Sequence, residues 1–295
     1  MRRAFVAVTL LILAAPLANA QAQLPDPGIL PDNPFYGLKR FFEELGTTFT
    51  FGEDVRAIRA LELAELRLAE TRAVSEMGRP EFVEDLAEDY EKEIGNSNKA
   101  VASISDPERR KAVSEWVAKK TSSYLDVLDS VEDTAPEQAR SAIAAAKERF
   151  VKGNMEALRT LATEDPEKAA EIAMQVAQGR AENARAAAER GDDLMAVEAA
   201  KEYMEYERFG DEISEIALKV GKDPSKVKEL VAESTSVNTS VLEEVKEKVR
   251  EDARSSIEKT MGESRKVREG TRGDQERGSN SEHDSVDQDE ETDDK

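Results

Sequence analysis

Between residues 52 and 261 the chain carries prolines at 80, 107, 136, 166 and 224 and nowhere else, and this spacing constrains the fold most. Inside a helix, proline removes an amide donor and clashes with the preceding turn; at the first helical position neither cost arises. Four of the five are followed by Glu, and three stand after Asp: Asp106-Pro107-Glu108, Asp165-Pro166-Glu167 and Asp223-Pro224-Ser225. Such an Asp can accept from the free amides of a first turn, and the acid that follows meets the positive end of the helix dipole. Each proline is therefore read as a helix start. Further starts are expected near Glu53 and near Asp192-Asp193, the latter after a terminating Gly191. Starts near 53, 80, 107, 136, 166, 192 and 224 lie 26 to 32 residues apart. That leaves helices of about 25 residues, roughly 37 Å long at 1.5 Å per residue.

Side-chain periodicity points the same way. Tyr206, Phe209, Ile213, Ile216 and Val220 recur at alternating spacings of three and four, a coiled-coil-like seam. In the helix from 53, Leu61, Ala64 and Leu68 form one stripe and Leu63, Leu66, Ala73 and Met77 a second, so two neighbours are expected. No stretch sustains two-residue alternation, so no sheet is expected. Ser234 to Val241 (STSVNTSV) is rich in poor helix formers, and a kink or fray is predicted there. The fold class is all-α: an elongated antiparallel helical bundle or stacked helical hairpins of about seven long helices. Five regions follow: a signal peptide over 1–20, a proline-rich lead and aromatic segment over 21–51, helical regions over 52–132 and 133–261, and a tail over 262–295. A duplication is also suggested, because at an offset of 113 residues Arg67 matches Arg180, Arg72 matches Arg185, Glu76 matches Glu189, Gly78 matches Gly191 and Tyr90 matches Tyr203. A repeat array is the alternative to a closed bundle.

Composition removes several functions. The 295 residues include no Cys, one His (His283) and one Trp (Trp116), with 42 Lys and Arg against 63 Asp and Glu, a net charge of −21. Disulfides, thiolate nucleophiles and two-histidine metal sites are therefore impossible. The acidic balance disfavours nucleic acid and anionic membranes. Arg2 and Arg3, the apolar run Ala4 to Leu17 and the small-x-small site Ala18-Asn19-Ala20 form a secretory signal peptide. That run is short of the roughly 20 residues a membrane span needs. The mature chain is expected to begin at Gln21, to lie outside the cytoplasm as a secreted or envelope-associated protein, and to keep no stable membrane span. Residues 262 to 295 hold only two apolar side chains, Val267 and Val286, and this acidic tail is expected to be disordered. Asn238-Thr239-Ser240 is a glycosylation sequon.

The stretch Pro27-Gly28-Ile29-Leu30-Pro31-Asp32-Asn33-Pro34-Phe35-Tyr36-Gly37-Leu38-Lys39-Arg40, followed by Thr50-Phe51-Gly52-Glu53 and the Ala/Leu/Glu/Arg-rich helix 57–77, is the most specific pattern in the chain. It resembles an uncharacterised domain family found in exported or membrane-tethered proteins of archaea and bacteria. The resemblance covers roughly residues 24–103. It implies an all-helical exported domain and carries no activity and no site residues.

Residues 35 to 51 concentrate the aromatic side chains. With Asn33 as a cap and Pro34 at the first helical position, Phe35, Leu38, Phe42 and Leu45 share a helix face, with Tyr36 and Phe41 beside it. One reading is an exposed docking segment for a partner, or for a membrane interface with Lys39 and Arg40 at the headgroups. The preferred reading is a segment folded back into the core, because burying so many rings at about 25 cal/mol per Å² stabilises an aromatic-poor fold. Asp126/Asp129/Glu132/Asp133 and Glu202/Glu205 are read as solvated faces with pairs such as Arg72/Glu76 and Glu244/Lys248, not as catalytic carboxylates. Trp116 is read as core. No phosphate-cradling loop and no exposed-nucleophile motif occurs. The chain is expected to be non-enzymatic, to need no cofactor or metal, and to bind or scaffold at the cell envelope through self-association or an unknown envelope protein. A cation-binding or chaperone-like role outside the cytoplasm is the alternative.

Overall fold

Helices begin where the acid and proline signals put them. The computed structural model describes residues 24–262; the signal peptide, nearly all of the acidic tail and His283 lie outside the described residues. The helices are α1 (Tyr36–Thr48), α2 (Glu53–Glu76), α3 (Val83–Ala102), α4 (Pro107–Thr134), α5 (Glu137–Glu164), α6 (Pro166–Arg190), α7 (Asp193–Lys219) and α8 (Ser225–Lys248). A 3-10 turn over Pro80–Phe82 leads into α3, and a last helical stretch, α9, covers 251–262. Among the described residues there is no strand.

The caps explain the boundaries. Asp106 Oδ1 accepts from the Arg109 amide at 2.8 Å, Asp165 Oδ1 from Lys168 at 3.0 Å and Asp192 Oδ1 from Met195 at 3.2 Å. Asp223 instead bonds the Ser225 amide two residues on, so Pro224 stays just outside α8. Gly191 ends α6 at φ 76°, a left-handed position that costs glycine least. The fray predicted at Ser234 to Val241 does not occur; α8 runs through it as continuous helix. There Thr239 Oγ1 donates to the Thr235 carbonyl at 2.7 Å and Ser240 Oγ to that of Val237 at 2.7 Å, so the hydroxyls bond back onto their own helix. Burial of Val231, Asn238 and Leu242 on one side supplies the packing that propensity lacks.

Consecutive helices form the closest pairs, α2 with α3, α4 with α5 and α6 with α7. Arg110 at the start of α4 meets Glu164 at the end of α5, so that pair runs antiparallel. Helices two apart rise together. Arg109 and Lys120 of α4 pair with Asp54 and Glu65 of α2. Arg149 and Lys152 of α5 pair with Glu84 and Glu91 of α3, and Arg180 and Arg190 of α6 pair with Asp126 and Asp133 of α4. One apolar core runs from Ala57 on α2 to Ile257 on α9, in which many Ala alternate with Val, Leu, Ile and a few aromatic side chains. At its centre the Tyr90 and Phe150 rings stack 3.9 Å apart, with Tyr124 edge-on to Tyr90 at 6.3 Å.

Several stripe residues lie differently from expectation. Of the second α2 stripe, Leu63 is buried, Leu66 and Ala73 are half-buried, and Met77, just past the helix end, is exposed. The α7 seam is buried through Tyr206, Phe209 and Ile213 but opens at Val220. Trp116 is 39% exposed and is not core.

The tightest approach is at Gly210 on α7. A Cβ there would stand 2.5 Å from Val231 Cγ2 of α8 and 3.0 Å from Met174 Cε of α6. Valine is stiff at χ1, so α8 would have to yield. Gly210→Ala gains about 1 kcal/mol of helix propensity but overpacks this junction at a cost of about 1–3 kcal/mol. Urea unfolding should show a net loss of roughly 1 kcal/mol, and Val231→Ala should cost less in the Gly210→Ala background than alone.

Candidate functional site

Two places gather the chemistry-bearing side chains: helix α1 and a charged centre where α4, α5, α6 and α7 meet. Asn33 Oδ1 accepts from the Phe35 amide at 2.9 Å, a local turn two residues before α1 rather than its cap. Tyr36, Lys39, Arg40 and Glu43 then fall at i, i+3, i+4 and i+7 and form one stripe. This polar stripe faces inward. Arg67 and Glu70 of α2 are fully buried and pair with each other at 2.5 Å. Tyr36 Oη donates to Glu70 at 2.9 Å and accepts from Arg67 Nη1 at 2.9 Å. Glu43 pairs with Arg67, Lys39 with Glu70, and Arg40 with Asp89 of α3 at 2.7 Å. Lys39 also donates to the carbonyls of Pro27 at 2.5 Å and Ile29 at 3.1 Å, which ties down the lead-in. Burial pulls the Arg67 guanidinium toward neutrality, but Glu70, Tyr36 and Glu43 outweigh it and hold it more firmly charged than usual. Burial and the Glu70 carboxylate together push the Tyr36 phenol far above its ordinary range.

Because the polar stripe turns in, the apolar face turns out. Phe35 is 63% exposed, Leu38 52%, Phe41 54% and Phe42 60%, and no residue of α1 is buried. Leu45 and Tyr36 are half-buried. The Phe41 and Phe42 rings meet edge to face at 5.8 Å, and the chain continues into Phe49 and Phe51, 68% and 80% exposed. The expectation that this segment closes the core is therefore corrected. Arg67 and Glu70 sit in the buried stripe of α2 and need polar partners, since an unpaired buried charge is very costly. Only the other side of α1 supplies them. Lys39 and Arg40 are consumed in the same contacts and do not stand ready for headgroups.

The second place brings together residues read as a solvated face. Lys147 of α5 is 5% exposed and lies 2.6 Å from Asp129, 3.2 Å from Glu132 and 3.2 Å from Glu202. Arg180 of α6 is equally buried, 2.6 Å from Asp129, 3.0 Å from Asp126 and 3.3 Å from Glu202. Burial works against both cations, yet the surrounding acids raise both above their ordinary values. A cavity of about 50 Å³ opens beside them, lined in part by Asp129, Glu132, Lys147, Arg190 and Glu198. Burial, then Glu132 and Glu202, push the Glu198 carboxyl up to about 7, against the pull of Lys147 and Lys201. Of the charges singled out in the sequence, Glu205 stays at the surface and outside this centre. The Arg72–Glu76 pair forms at 2.7 Å, while Lys248 reaches Glu189 on α6 at 2.7 Å instead of Glu244. Asn238 of the sequon is 2% exposed, with its amide donating to Ser234 Oγ, so the folded chain does not present it for glycosylation. Among the described residues no group of three or more His, Asp or Glu is arranged to hold a metal ion, and no helix is long and apolar enough to cross a membrane. Two buried arginines are what residue-by-residue reading missed. Their signal was present: Arg67 falls four residues after Leu63 and three after Ala64, between the two apolar stripes, and Arg180 is its match at the 113-residue offset.

At protein concentrations that keep the chain single, Phe41→Ala and Phe42→Ala should each change unfolding stability by no more than about 0.5 kcal/mol, as exposed positions do. Arg67→Ala should cost about 3–5 kcal/mol by stranding buried Glu70 and loosening α1; chemical denaturation compares the three. For Glu198, the folded value lies above the ordinary 4.5, so the folded state holds a proton that the unfolded chain releases. Its contribution is complete below about 4.5 and is lost as pH rises through about 7. Glu198→Gln should raise the melting temperature relative to wild type by roughly 2–4 °C at pH 8 and leave it unchanged at pH 4.

No curated protein and no solved structure matches this chain. Residues 28–138, from the lead-in through α4 to the first turn of α5, match a family described as a domain of unknown function (DUF5667).

Proposed function

We propose that this chain is an exported, non-enzymatic helical protein that acts by binding at the cell envelope, and that the outward face of α1 is its docking surface. The observation that carries the reading is an amphipathic helix held by its polar side, with Phe35, Leu38, Phe41 and Phe42 left to solvent. Binding energy concentrates in aromatic anchors, and the remaining surface is dominated by exposed ion pairs that contribute little. Export rests on Arg2, Arg3, the apolar run and Ala18-Asn19-Ala20. The cation-binding alternative has less support, because the acids of the buried centre are already matched to Lys147 and Arg180.

We read the architecture as stacked helical hairpins rather than a closed bundle. Support comes from the parallel register of helices two apart. It also comes from matched positions at the 113-residue offset: Arg67 and Arg180 are both buried and paired with acids, Tyr90 and Tyr203 are both buried, and Gly78 and Gly191 both take positive φ. On this reading the repeat boundary falls at Asp165, between α5 and α6, rather than at 132.

The test is capture from intact envelopes by tagged chain whose N-terminus is read by mass spectrometry. Processing to Gln21 is expected. Capture should persist in high salt, as an apolar contact does, should be lost in Phe41→Glu/Phe42→Glu, and should be kept in Leu194→Glu, a change at an exposed leucine on α7. Equal capture by the double variant would move the docking surface elsewhere.

A further inference from the structure

The apolar surface that α1, the turn after it and the start of α2 expose is larger than a monomer ordinarily leaves uncovered. Five phenylalanines, at 35, 41, 42, 49 and 51, are each more than half exposed. At about 200 Å² for a whole ring they present on the order of 600 Å², already the upper limit for the largest patch on a typical monomer. Leu38, half exposed, and Val55 and Ile58 at the start of α2 are exposed as well. The total approaches the ~800 Å² that each partner contributes to a standard interface.

Position adds a second argument. Helix α1 packs on α2 and covers its buried Arg67, so it closes the N-terminal end of the helical stack. A terminal helix in such a stack needs a polar outer face to keep the end soluble. Here the polar face points in and the apolar face points out, so the end is left unfinished.

The charges discriminate between occupants. A helix lying in a lipid surface keeps Lys and Arg at its borders. In α1 both cations are turned inward and neutralised, Lys39 by Glu70 and Arg40 by Asp89. The flanks that remain are close to balanced, with Arg56 paired to Glu53 at 2.8 Å and Arg59 to Glu62 at 3.1 Å. Two such borders can meet across a two-fold axis without a strong like-charge penalty.

We infer that the α1 face is an interface between two copies of this chain, joined end to end about a two-fold axis. The inference rests on the reading of this face as a docking surface and names its occupant. Each copy supplies the cover that the other's phenylalanines lack, and the acidic remainder of both molecules points away from the contact.

Sedimentation velocity of the purified full chain over a micromolar concentration series tests this directly. Wild type should sediment at twice the mass of one chain. Phe41→Glu/Phe42→Glu should sediment as a single chain, with self-association weakened roughly a hundredfold or more, while circular dichroism stays at the wild-type value and the melting temperature matches that of wild type diluted to a single chain. Phe41→Leu/Phe42→Leu should remain paired. Phosphatidylcholine vesicles with and without phosphatidylglycerol are included, and neither is expected to bind. A wild type that stays single at every concentration, or a double Glu variant that stays paired, overturns the inference. A single-mass wild type that floats with vesicles overturns it in favour of lipid. A single-mass wild type that still captures an envelope protein through Phe41 and Phe42 overturns it while leaving the docking surface in place.

Discussion

The arrangement of the N-terminal half depends on one buried ion pair. Arg67 and Glu70 stand on the inward stripe of α2 with no exposure to solvent. Desolvating two charges costs several kcal/mol each unless the remaining hydrogen-bonding positions are filled. Tyr36, Lys39 and Glu43 fill most of them, leaving Arg67 Nε without a partner, and that requirement fixes the rotation of α1 about its own axis. Hydrophobic burial alone would turn the helix the other way, with its phenylalanines inward. Turning it that way would strand the ion pair, at a cost of about 3–5 kcal/mol; the observed rotation keeps Arg67 and Glu70 partnered and leaves the apolar surface outside.

The second half meets a similar demand from within. Arg180 and Lys147 lie among Asp126, Asp129, Glu132 and Glu202, contributed by α4 and α7. No separate capping helix is needed, because neighbouring helices already bring the acids. One surplus carboxyl, Glu198, borders the same cavity and titrates near neutrality. Gly210 admits Val231 closer than any side chain would allow. Small residues let long helices approach along their lengths without large interlocking side chains.

What could be read in the sequence divides along physical lines. Helix starts at 53, 107, 166 and 193 are local properties of Asp, Pro and Gly, and they were legible to within a residue or two. The continuity of α8 through STSVNTSV was not, because burial on one face and back-bonded hydroxyls override propensity. The six candidate side chains of α1 were legible as a cluster, but not the direction they face. An aromatic-rich amphipathic stripe looks the same whether it enters a core or leaves it; the deciding partners, Arg67 and Glu70, lie some thirty residues further along. Acidic runs such as Asp126 to Asp133 read as solvated for the same reason, since the cations that neutralise them come from other helices.

The anchoring of the lead-in has a consequence in time. Lys39 grips the carbonyls of Pro27 and Ile29, and Leu24 and Leu30 already pack against the core. On the proposed export route the cut follows Ala20, and at most ~3.5 Å per residue separates that bond from the docked Leu24. A peptidase seated at the membrane needs extended chain on both sides of the bond it cleaves. The finished fold leaves almost no slack on one of them. On that route a cut made before α1 closes over Arg67 has the slack the finished fold withholds, and a chain folded too early would shield the site.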